Sequence, residues 1–298
     1  MTKILTVRHT TVYQYARPVY FGEHRLMFRP RDSHDIRLLD TSMKITPKAE
    51  VHYYHDPFNN SITVARFTKP SSELRLVSAF RIEHYGKLVS AYDLEPFAQT
   101  YPFVYDSEEF PDLMRSIERR YPDPDRKIYR WARQFLDPSG STDTHRLLDS
   151  INRAIKAGFR YEQRNDPGTQ DPLVTLRNAS GTCRDYALFM MEAVRSLGLA
   201  ARFVTGYLYD PSLDDDGEET VGSGATHAWV QIYLPGAGWV EFDPTNALIG
   251  GTNLIRVAVV REPSQAIPVK GAYEGGPDDY IGMSVEVTVT RRSNGRHE

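Results

Sequence analysis

The spacing of apolar residues changes twice along this chain, and these changes constrain its fold more than any other feature. Up to about residue 90, short runs alternate between apolar and polar residues, which is typical of strands, and the string from Asp56 to Asn60 is typical of a hairpin loop. After about residue 126 the apolar residues recur at helical spacing in three stretches, 128–135, 148–155 and 186–197. Alternation returns at 201–208, 227–243 and 254–260. Strands followed by helices and further strands predict an α+β fold.

The same pattern divides the chain into four parts. We expect residues 1–90 to form a β-sandwich-like N-terminal domain and residues 91–125 to form a connection with one helix around Leu113 to Arg119. Residues 126–262 are expected to form a core in which a helix packs on an antiparallel sheet. Residues 263–298 are expected to be a C-terminal tail that returns a strand to the N-terminal domain.

The chain contains one cysteine, Cys183, at the predicted start of a helix that ends near Gly198. Thr182 is predicted to be the N-cap and Asp185 to complete a capping box, so Cys183 is the first helical residue. The positive end of a helix lowers the pKa of a thiol, and only the thiolate is nucleophilic. A buried structural cysteine is the alternative, and the commoner fate of a lone thiol.

A predicted hairpin after this helix carries two further candidate residues, His227 and Asp243. The even positions from 228 to 234 are apolar and the odd ones include His227 and Trp229, which is typical of a half-buried strand. A three-residue loop, Pro235 to Ala237, would pair Trp229 with Asp243 and place His227 diagonally next to that carboxylate. A four-residue loop would put the two side chains on opposite faces. Taken singly, a surface histidine and a turn-forming Asp-Pro are adequate interpretations.

Composition limits the classes of partner and site. The net charge of −3 and the pI near 6.3 give no reason to expect nucleic acid or an anionic membrane as a partner. No apolar run approaches the ~20 residues that span a bilayer. A single free thiol and no adequate signal-peptide core lead us to expect a cytoplasmic protein. We expect no metal and no cofactor. The acidic segment from Asp210 to Thr226 fits a calcium loop poorly and is interpreted as a solvated flap.

Three strings resemble the core blocks of the transglutaminase-like superfamily in its bacterial branch: Gly181-Thr182-Cys183-Arg184-Asp185-Tyr186-Ala187, His227-Ala228-Trp229-Val230 and Phe242-Asp243-Pro244-Thr245-Asn246. Residues 1–90 resemble the β-rich domain that precedes the core in bacterial members. The resemblance implies a papain-like core with Cys183, His227 and Asp243 as catalytic triad. Asn246 is an alternative orienting residue for His227. Tyr161 and Trp229 are further candidate auxiliary residues. Tyr161 is interpreted either as a residue that helps to stabilise the oxyanion or as an ordinary packing residue.

A thiolate, a histidine and an aspartate are the groups needed for acyl transfer through a thioester. We therefore expect a protease or amidase that acts on a peptide or protein substrate. Transamidation by an amine such as lysine uses the same three residues and remains open. A non-catalytic binding or scaffold protein that retains the fold is the alternative of another class, and the intact set of three residues disfavours it.

Overall fold

A computed structural model describes residues 2–86, 93–164, 168–210 and 224–291. The first part of the chain contains six strands and no helix in its described residues. These strands are β1 (Lys3–Phe21), β2 (His24–Arg29), β3 (Ile36–Thr46), β4 (Ala49–His55), β5 (Ser61–Phe67) and β6 (Ser71–His84). The alternating residues from Ser61 to Phe67 predict a strand, and β5 has these bounds. The apolar residues from Ile4 to Val7 predict a short strand, whereas β1 continues through polar positions to Phe21.

The middle of the chain supplies the helices. Four short strands lie before or between the helices and form two pairs. These are β7 (Thr100–Tyr101) with β8 (Thr142–Asp143) and β9 (Arg160–Tyr161) with β10 (Ser180–Gly181). The helices are α1 (Phe110–Ile117), α2 (Lys127–Arg133), α3 (Thr144–Gly158), α4 (Pro172–Asn178) and α5 (Cys183–Ser196). The first lies a few residues before its predicted position. None of the helices in the described ranges is long and apolar enough to cross a membrane.

The last part of the chain forms the core sheet and then returns to the N-terminal strands. The core strands are β11 (Ala201–Leu208), β12 (Thr226–Leu234), β13 (Gly238–Asp243), β14 (Leu248–Ile249) and β15 (Leu254–Val260). They form an antiparallel sheet in the order β14-β13-β12-β11-β15. The returning strands are β16 (Val269–Lys270), β17 (Tyr273–Glu274) and β18 (Tyr280–Arg291).

Two sheets build the N-terminal part, and the end of the chain contributes to both. β1 lies between β6 and β18, and β16 pairs with β2 in the second sheet, whose order is β16-β2-β5-β4. An apolar cluster containing Phe21, Phe28 and Leu76 joins strands of the two sheets. The expected α+β architecture, with a sandwich-like N-terminal part, is confirmed. The strand expected to return from the tail pairs along β1 from Leu5 to Tyr15.

The core sheet is covered on both faces, which corrects the expectation of a half-buried strand. Ala228, Val230 and Ile232 on β12 pack in the same apolar cluster as residues of α5. His227 and Trp229, which point the other way, are also buried, at 1% and 0% exposure. N-terminal residues lie against this second face. Its polar side chains hydrogen-bond to one another, which compensates for the loss of water around them. The alternation in sequence therefore marks a polar face, and that face is buried.

Candidate active site

Cys183 lies at the N-terminus of α5, as predicted. Thr182 is the N-cap, and the Asp185 carboxylate accepts hydrogen bonds from the Thr182 backbone N–H at 2.8 Å and from its hydroxyl at 2.9 Å. The Thr182 hydroxyl in turn accepts from the backbone N–H of Asp185 at 3.4 Å. The predicted capping box is confirmed. It leaves the first backbone N–H groups of α5, at Cys183 and Arg184, without an intrahelical acceptor.

A second set of contacts, absent from the sequence-based prediction, fixes the turn before Cys183. Arg164 forms a bidentate ion pair with the buried carboxylate of Asp185, with both N···O distances 3.0 Å. The backbone N–H of Gln170 donates to the same carboxylate at 2.8 Å. A Cβ atom on Gly181 would lie 2.8 Å from both the Asp185 Cβ and the Gln170 Nε2, so only glycine fits here. A lone acidic residue after an N-cap gives no sign of such a partner from another loop.

His227 and Asp243 contact each other across the hairpin. Val230 pairs with Phe242 and Leu234 with Gly238, which is the register of the predicted three-residue loop. His227 Nε2 lies 2.8 Å from Asp243 Oδ2. Both side chains are fully buried. The predicted placement of the two residues on one face is therefore confirmed.

The carboxylate of Asp243 is held by two further donors. The Asn246 side-chain amide donates to Oδ2 at 2.8 Å, and the backbone N–H of Thr245 donates to Oδ1 at 2.9 Å. Asp243 is thus the residue that accepts from the His227 ring, while Asn246 binds Asp243 in turn. These contacts favour Asp243, and not Asn246, as the residue that orients His227.

The charges of this pair stabilise each other. Burial alone would raise the pKa of Asp243, but His227, Asn246 and the Thr245 N–H outweigh it, and the pKa lies below its usual value. Burial likewise lowers the pKa of His227, yet Asp243 and Cys183 raise it to about 10. The buried histidine is therefore an imidazolium at neutral pH, because its carboxylate partner favours the charged form.

The Cys183 thiol is the neighbour of the imidazole on its other side. Burial alone would raise the pKa of the thiol. His227, the backbone N–H of Ala228 and Arg184 together lower it by more, so the pKa of Cys183 falls below its usual value. His227 Nδ1 is buried and has no hydrogen-bond partner of standard geometry within the described ranges. The thiol and the imidazole are thus neighbours without a hydrogen bond of standard geometry, as is common before substrate binds.

Tyr161 also lies beside the thiol. It is placed there by β9 and β10, which pair in parallel with Tyr161 opposite Gly181. Burial and then the nearby Cys183 raise the pKa of its hydroxyl, so Tyr161 stays protonated and can donate a hydrogen bond. The structure therefore brings Cys183, His227, Asp243 and Tyr161 together. Trp229 stacks on His227, with ring centroids 6.0 Å apart.

A buried polar network continues from Trp229 away from the thiol. The indole N–H donates to Glu241, which also accepts from Gln231 at 2.7 Å and from Arg256 at 2.7 Å. Arg256 in turn forms an ion pair with Asp35 of the N-terminal part at 2.7 Å. Sequence analysis missed these contacts, because Asp35 and Arg256 are 221 residues apart.

No group of three His, Cys, Asp or Glu side chains in the described ranges is arranged to hold a metal ion. Residues 211–223, which make up most of the acidic segment between Asp210 and Thr226, lie outside the described residues. Two statements about that segment therefore remain predictions: that it is a solvated flap, and that it does not bind calcium.

Comparison with known proteins identifies the family. Residues 130–244 match the model of the transglutaminase-like superfamily core. Residues 5–83 match that of the bacterial transglutaminase-like N-terminal region. The chain belongs to the transglutaminase-like superfamily. Its expected membership of the bacterial branch is confirmed by the second match, and both matches leave the C-terminal strands β16 to β18 outside.

Relatives in sequence cover either most of this chain or a smaller part of it. An uncharacterised protein of Mycobacterium leprae is 24% identical over 301 residues, which cover 95% of this chain and 98% of the relative. An uncharacterised protein of Mycobacterium tuberculosis is 25% identical over 290 residues, or 94% and 91% of the two chains. A protein-glutamine gamma-glutamyltransferase of Pseudomonas aeruginosa is 27% identical over 135 residues, or 39% and 20%.

One solved structure shares the fold over nearly the full length. It comes from Cytophaga hutchinsonii and is provisionally described as a cysteine protease. It has 16% sequence identity to this chain and a TM-score of 0.72, covering 98% of this chain and 92% of its own. The transglutaminase-like core with its N-terminal strands is thus a fold that this chain shares with another protein.

Proposed function

We propose that this protein is a cysteine-dependent acyl-transfer enzyme that hydrolyses carboxamide groups of peptides or proteins. The observation that carries the proposal is the buried arrangement of Cys183, His227 and Asp243. An imidazolium lies between a carboxylate 2.8 Å away and a thiol whose pKa is lowered. Burying a charged His–Asp pair costs free energy, and a purely structural role would be met more cheaply by apolar residues.

In the proposed acylation step, the Cys183 thiolate attacks the carbonyl carbon of the substrate carboxamide, and a C–S bond forms. The carbonyl π electrons move to oxygen and give a tetrahedral oxyanion. His227, as imidazolium, donates its Nδ1 proton to the leaving nitrogen, the C–N bond breaks, and the amine or ammonia departs. Asp243 keeps the ring in the orientation that directs Nδ1 toward the thiol and stabilises its positive charge.

We propose two hydrogen-bond donors for the oxyanion. The backbone N–H of Cys183 lies in the first turn of α5, where it has no intrahelical acceptor. The hydroxyl of Tyr161, kept protonated by its surroundings, is proposed as the second. Removal of one such donor typically raises the barrier by about 3 kcal/mol.

The thioester is then opened by water. Neutral His227 accepts a proton from the attacking water at Nδ1, the tetrahedral intermediate collapses, and the carboxylic acid and the Cys183 thiolate are released. Cys183 is 6% exposed, whereas the side chains of His227 and Asp243 are fully buried. The attacking water is therefore proposed to approach from the side of the sulfur.

Transamidation is the second candidate, with a primary amine in place of water. It is favoured by the similarity of part of this chain to the protein-glutamine gamma-glutamyltransferase of Pseudomonas aeruginosa. The thiolate, base and orienting carboxylate act identically in both reactions. The outcome depends on whether an amine reaches the thioester faster than water does.

The test is incubation of the protein with glutamine-containing peptides, with and without a labelled primary amine. Ammonia release, peptide cleavage and amine incorporation are followed separately. Hydrolysis predicts ammonia or new peptide termini without incorporation, whereas transamidation predicts incorporation of the amine in step with ammonia release. Cys183→Ala should abolish every one of these signals, and Tyr161→Phe should reduce turnover about 10²-fold.

The exposed Tyr20 provides a matched control, because Tyr20→Phe removes the same hydroxyl far from Cys183 and should leave turnover unchanged. Turnover by Cys183→Ala at the wild-type rate would contradict the proposed nucleophile. If the wild-type protein modified no substrate and its thiol reacted with iodoacetamide no faster than an unfolded control, the scaffold alternative would be favoured instead.

The proposed chemistry also needs Cys183 to stay a free thiol. We propose on that ground a reducing compartment, the cytoplasm, as the place of action. Fractionation of cells followed by detection of the protein in the cytoplasmic and exported fractions tests this, and recovery in the exported fraction would contradict it.

A further inference from the structure

A cavity of about 750 Å³ lies between the N-terminal part and the polar face of the core sheet. Its N-terminal side includes Arg31 and Tyr85, and its sheet side includes Arg202, Trp239 and Arg256. None of these residues belongs to the proposed catalytic group. The cavity is large enough for a small organic molecule.

One of its arginines is already satisfied by carboxylates. Arg256 binds Asp35 through both terminal nitrogens, at 2.7 and 2.8 Å, and Glu241 at 2.7 Å. These contacts hold the pKa of Arg256 above its usual value, although burial opposes them. Arg256 is therefore part of the wall, and it leaves little positive charge for a ligand.

Arg202 is not satisfied in this way. Its Nε donates to Gln231 Oε1 at 2.8 Å, and its guanidinium carbon lies 3.9 Å from the centroid of the Trp239 ring. Within the described residues it forms no ion pair, and no hydrogen bond is made by its two terminal nitrogens. Burial lowers its pKa to about 10; the nearby carboxylate of Glu241 opposes this effect, and the like charges of Arg256 and Arg31 add to it. The hydrogen bond to Gln231 and the contact with the Trp239 ring thus fix the plane of this guanidinium. Its two terminal nitrogens stay available as hydrogen-bond donors.

We propose that this cavity is a binding site for a small organic carboxylate, whose two oxygens accept hydrogen bonds from the terminal nitrogens of Arg202. The planar guanidinium matches a carboxylate in a bidentate geometry, and an anion would offset the buried positive charge. The rings of Trp239 and Tyr85 line the same cavity and provide a surface for a flat or apolar body next to the carboxylate.

Charge favours a monocarboxylate over phosphate. Glu241 and Asp35 line the same cavity and repel a dianion more strongly than a monoanion. Phosphate sites usually combine several cationic or backbone donors held around the anion, whereas here Arg202 is the arginine held in place by a hydrogen bond and a ring contact while its terminal nitrogens stay available. Arg31 is a further cation of the wall and adds to the attraction for an anion.

The test measures binding without turnover, so its outcome is independent of the proposed acyl-transfer activity. N-acetylphenylalanine is titrated into the protein by calorimetry and by tryptophan fluorescence, and its uncharged analogue N-acetylphenylalaninol is the ligand control. We expect saturable binding of the acid and at least tenfold weaker binding of the alcohol. The fluorescence response to the acid should disappear in Trp239→Phe, because this variant lacks the reporting ring.

The protein variants place the ligand. Arg202→Gln should weaken binding of the acid at least tenfold, and Arg202→Lys should weaken it less, since the charge is kept and the planar fork is lost. Arg66→Gln is the matched control, because Arg66 is an exposed arginine that pairs with Glu23 on the N-terminal surface, and it should bind as the wild-type does. Alkylation of Cys183 by iodoacetamide at the wild-type rate shows that each variant is folded.

Equal binding of the acid and the alcohol by the wild-type protein would overturn the proposal, and this comparison needs no variant to fold. Saturation by inorganic phosphate without any by the acid would also overturn it. So would unchanged affinity in a folded Arg202→Gln variant.

Discussion

The two faces of strand β12 are equally buried but are stabilised by different interactions. On one face Ala228, Val230 and Ile232 pack with α5 in an apolar cluster. On the other, His227 and Trp229 are held by the carboxylates of Asp243 and Glu241. Apolar burial stabilises the fold directly, whereas buried charges contribute only if each is paired. The first face therefore fixes the position of the strand, and the second fixes the charge and orientation of groups on it.

The comparison also explains why the N-terminal part matters to the site. Asp35 pairs with Arg256, Arg256 with Glu241, and Glu241 with the indole of Trp229, which stacks on His227. The chain of contacts runs along the polar face alone. Changes on that face should affect chemistry and stability together, whereas changes on the apolar face should affect stability alone.

Among changes on the two faces of the core sheet, Asp243→Asn is expected to give the largest effect. The amide cannot stabilise the imidazolium as a carboxylate does, so turnover should fall about 10⁴-fold while substrate binding changes little. The measurement is kcat and KM with the peptide that gives the strongest signal. A rise in KM with kcat unchanged would assign Asp243 a binding role and break the distinction between the two faces.

Glu241→Ala should have the next largest effect. It removes the acceptor of Trp229, Gln231 and one nitrogen of Arg256 from a buried site, which should lower the free energy of unfolding by about 3–5 kcal/mol. Denaturant unfolding measures the loss. Glu50→Ala, on the exposed surface of β4, is the control and should change stability by less than about 0.5 kcal/mol. Similar losses in both variants would show that the polar network is not a special feature.

The pH dependence should reveal the charge on the polar face. Because the pKa of Cys183 is lowered and that of His227 is raised to about 10, the thiolate–imidazolium pair should persist at neutral pH and be lost as the pH rises through about 10. The stability that His227 gains from its partners is complete below its unfolded pKa of about 6.5 and disappears over the same rise.

Iodoacetamide alkylation and turnover, each measured from pH 5 to 11, check this. Cys183 should be alkylated at pH 6 at least tenfold faster than in the unfolded chain, and turnover should decline near pH 10. In Asp243→Asn the decline should move to lower pH, since the imidazolium has lost its carboxylate partner. A thiol that reacts only above about pH 8.5 would contradict the lowered pKa.

Ile232→Val should give the smallest effect and defines the apolar face. Loss of one buried methylene group should lower the free energy of unfolding by about 0.5–1.5 kcal/mol. Turnover and the alkylation rate of Cys183 at pH 6 should remain those of the wild-type protein. A loss of turnover larger than the loss of folded protein would mean that the two faces are coupled.

Local patterns were enough to predict much of the site. The capping box at Thr182 and Asp185 depends on neighbouring residues, and the register of the β12–β13 hairpin follows from a short loop. Both were predicted, because each is decided by contacts within about 20 residues of chain. Helix α4 was missed, although Asp171 followed by Pro172 is a typical helix start, because its seven residues show too little periodicity.

The sequence by itself determined that Cys183 begins a helix, that His227 and Asp243 share one face of a hairpin, and that the chain is α+β. These are consequences of capping and of alternating side-chain direction. Only the tertiary structure decided that the polar face is buried, that Arg164 pairs with Asp185 and Asp35 with Arg256, and that β18 lies beside β1. Such pairings join residues that are distant along the chain, and no local periodicity specifies which distant partner will remove a polar group from water.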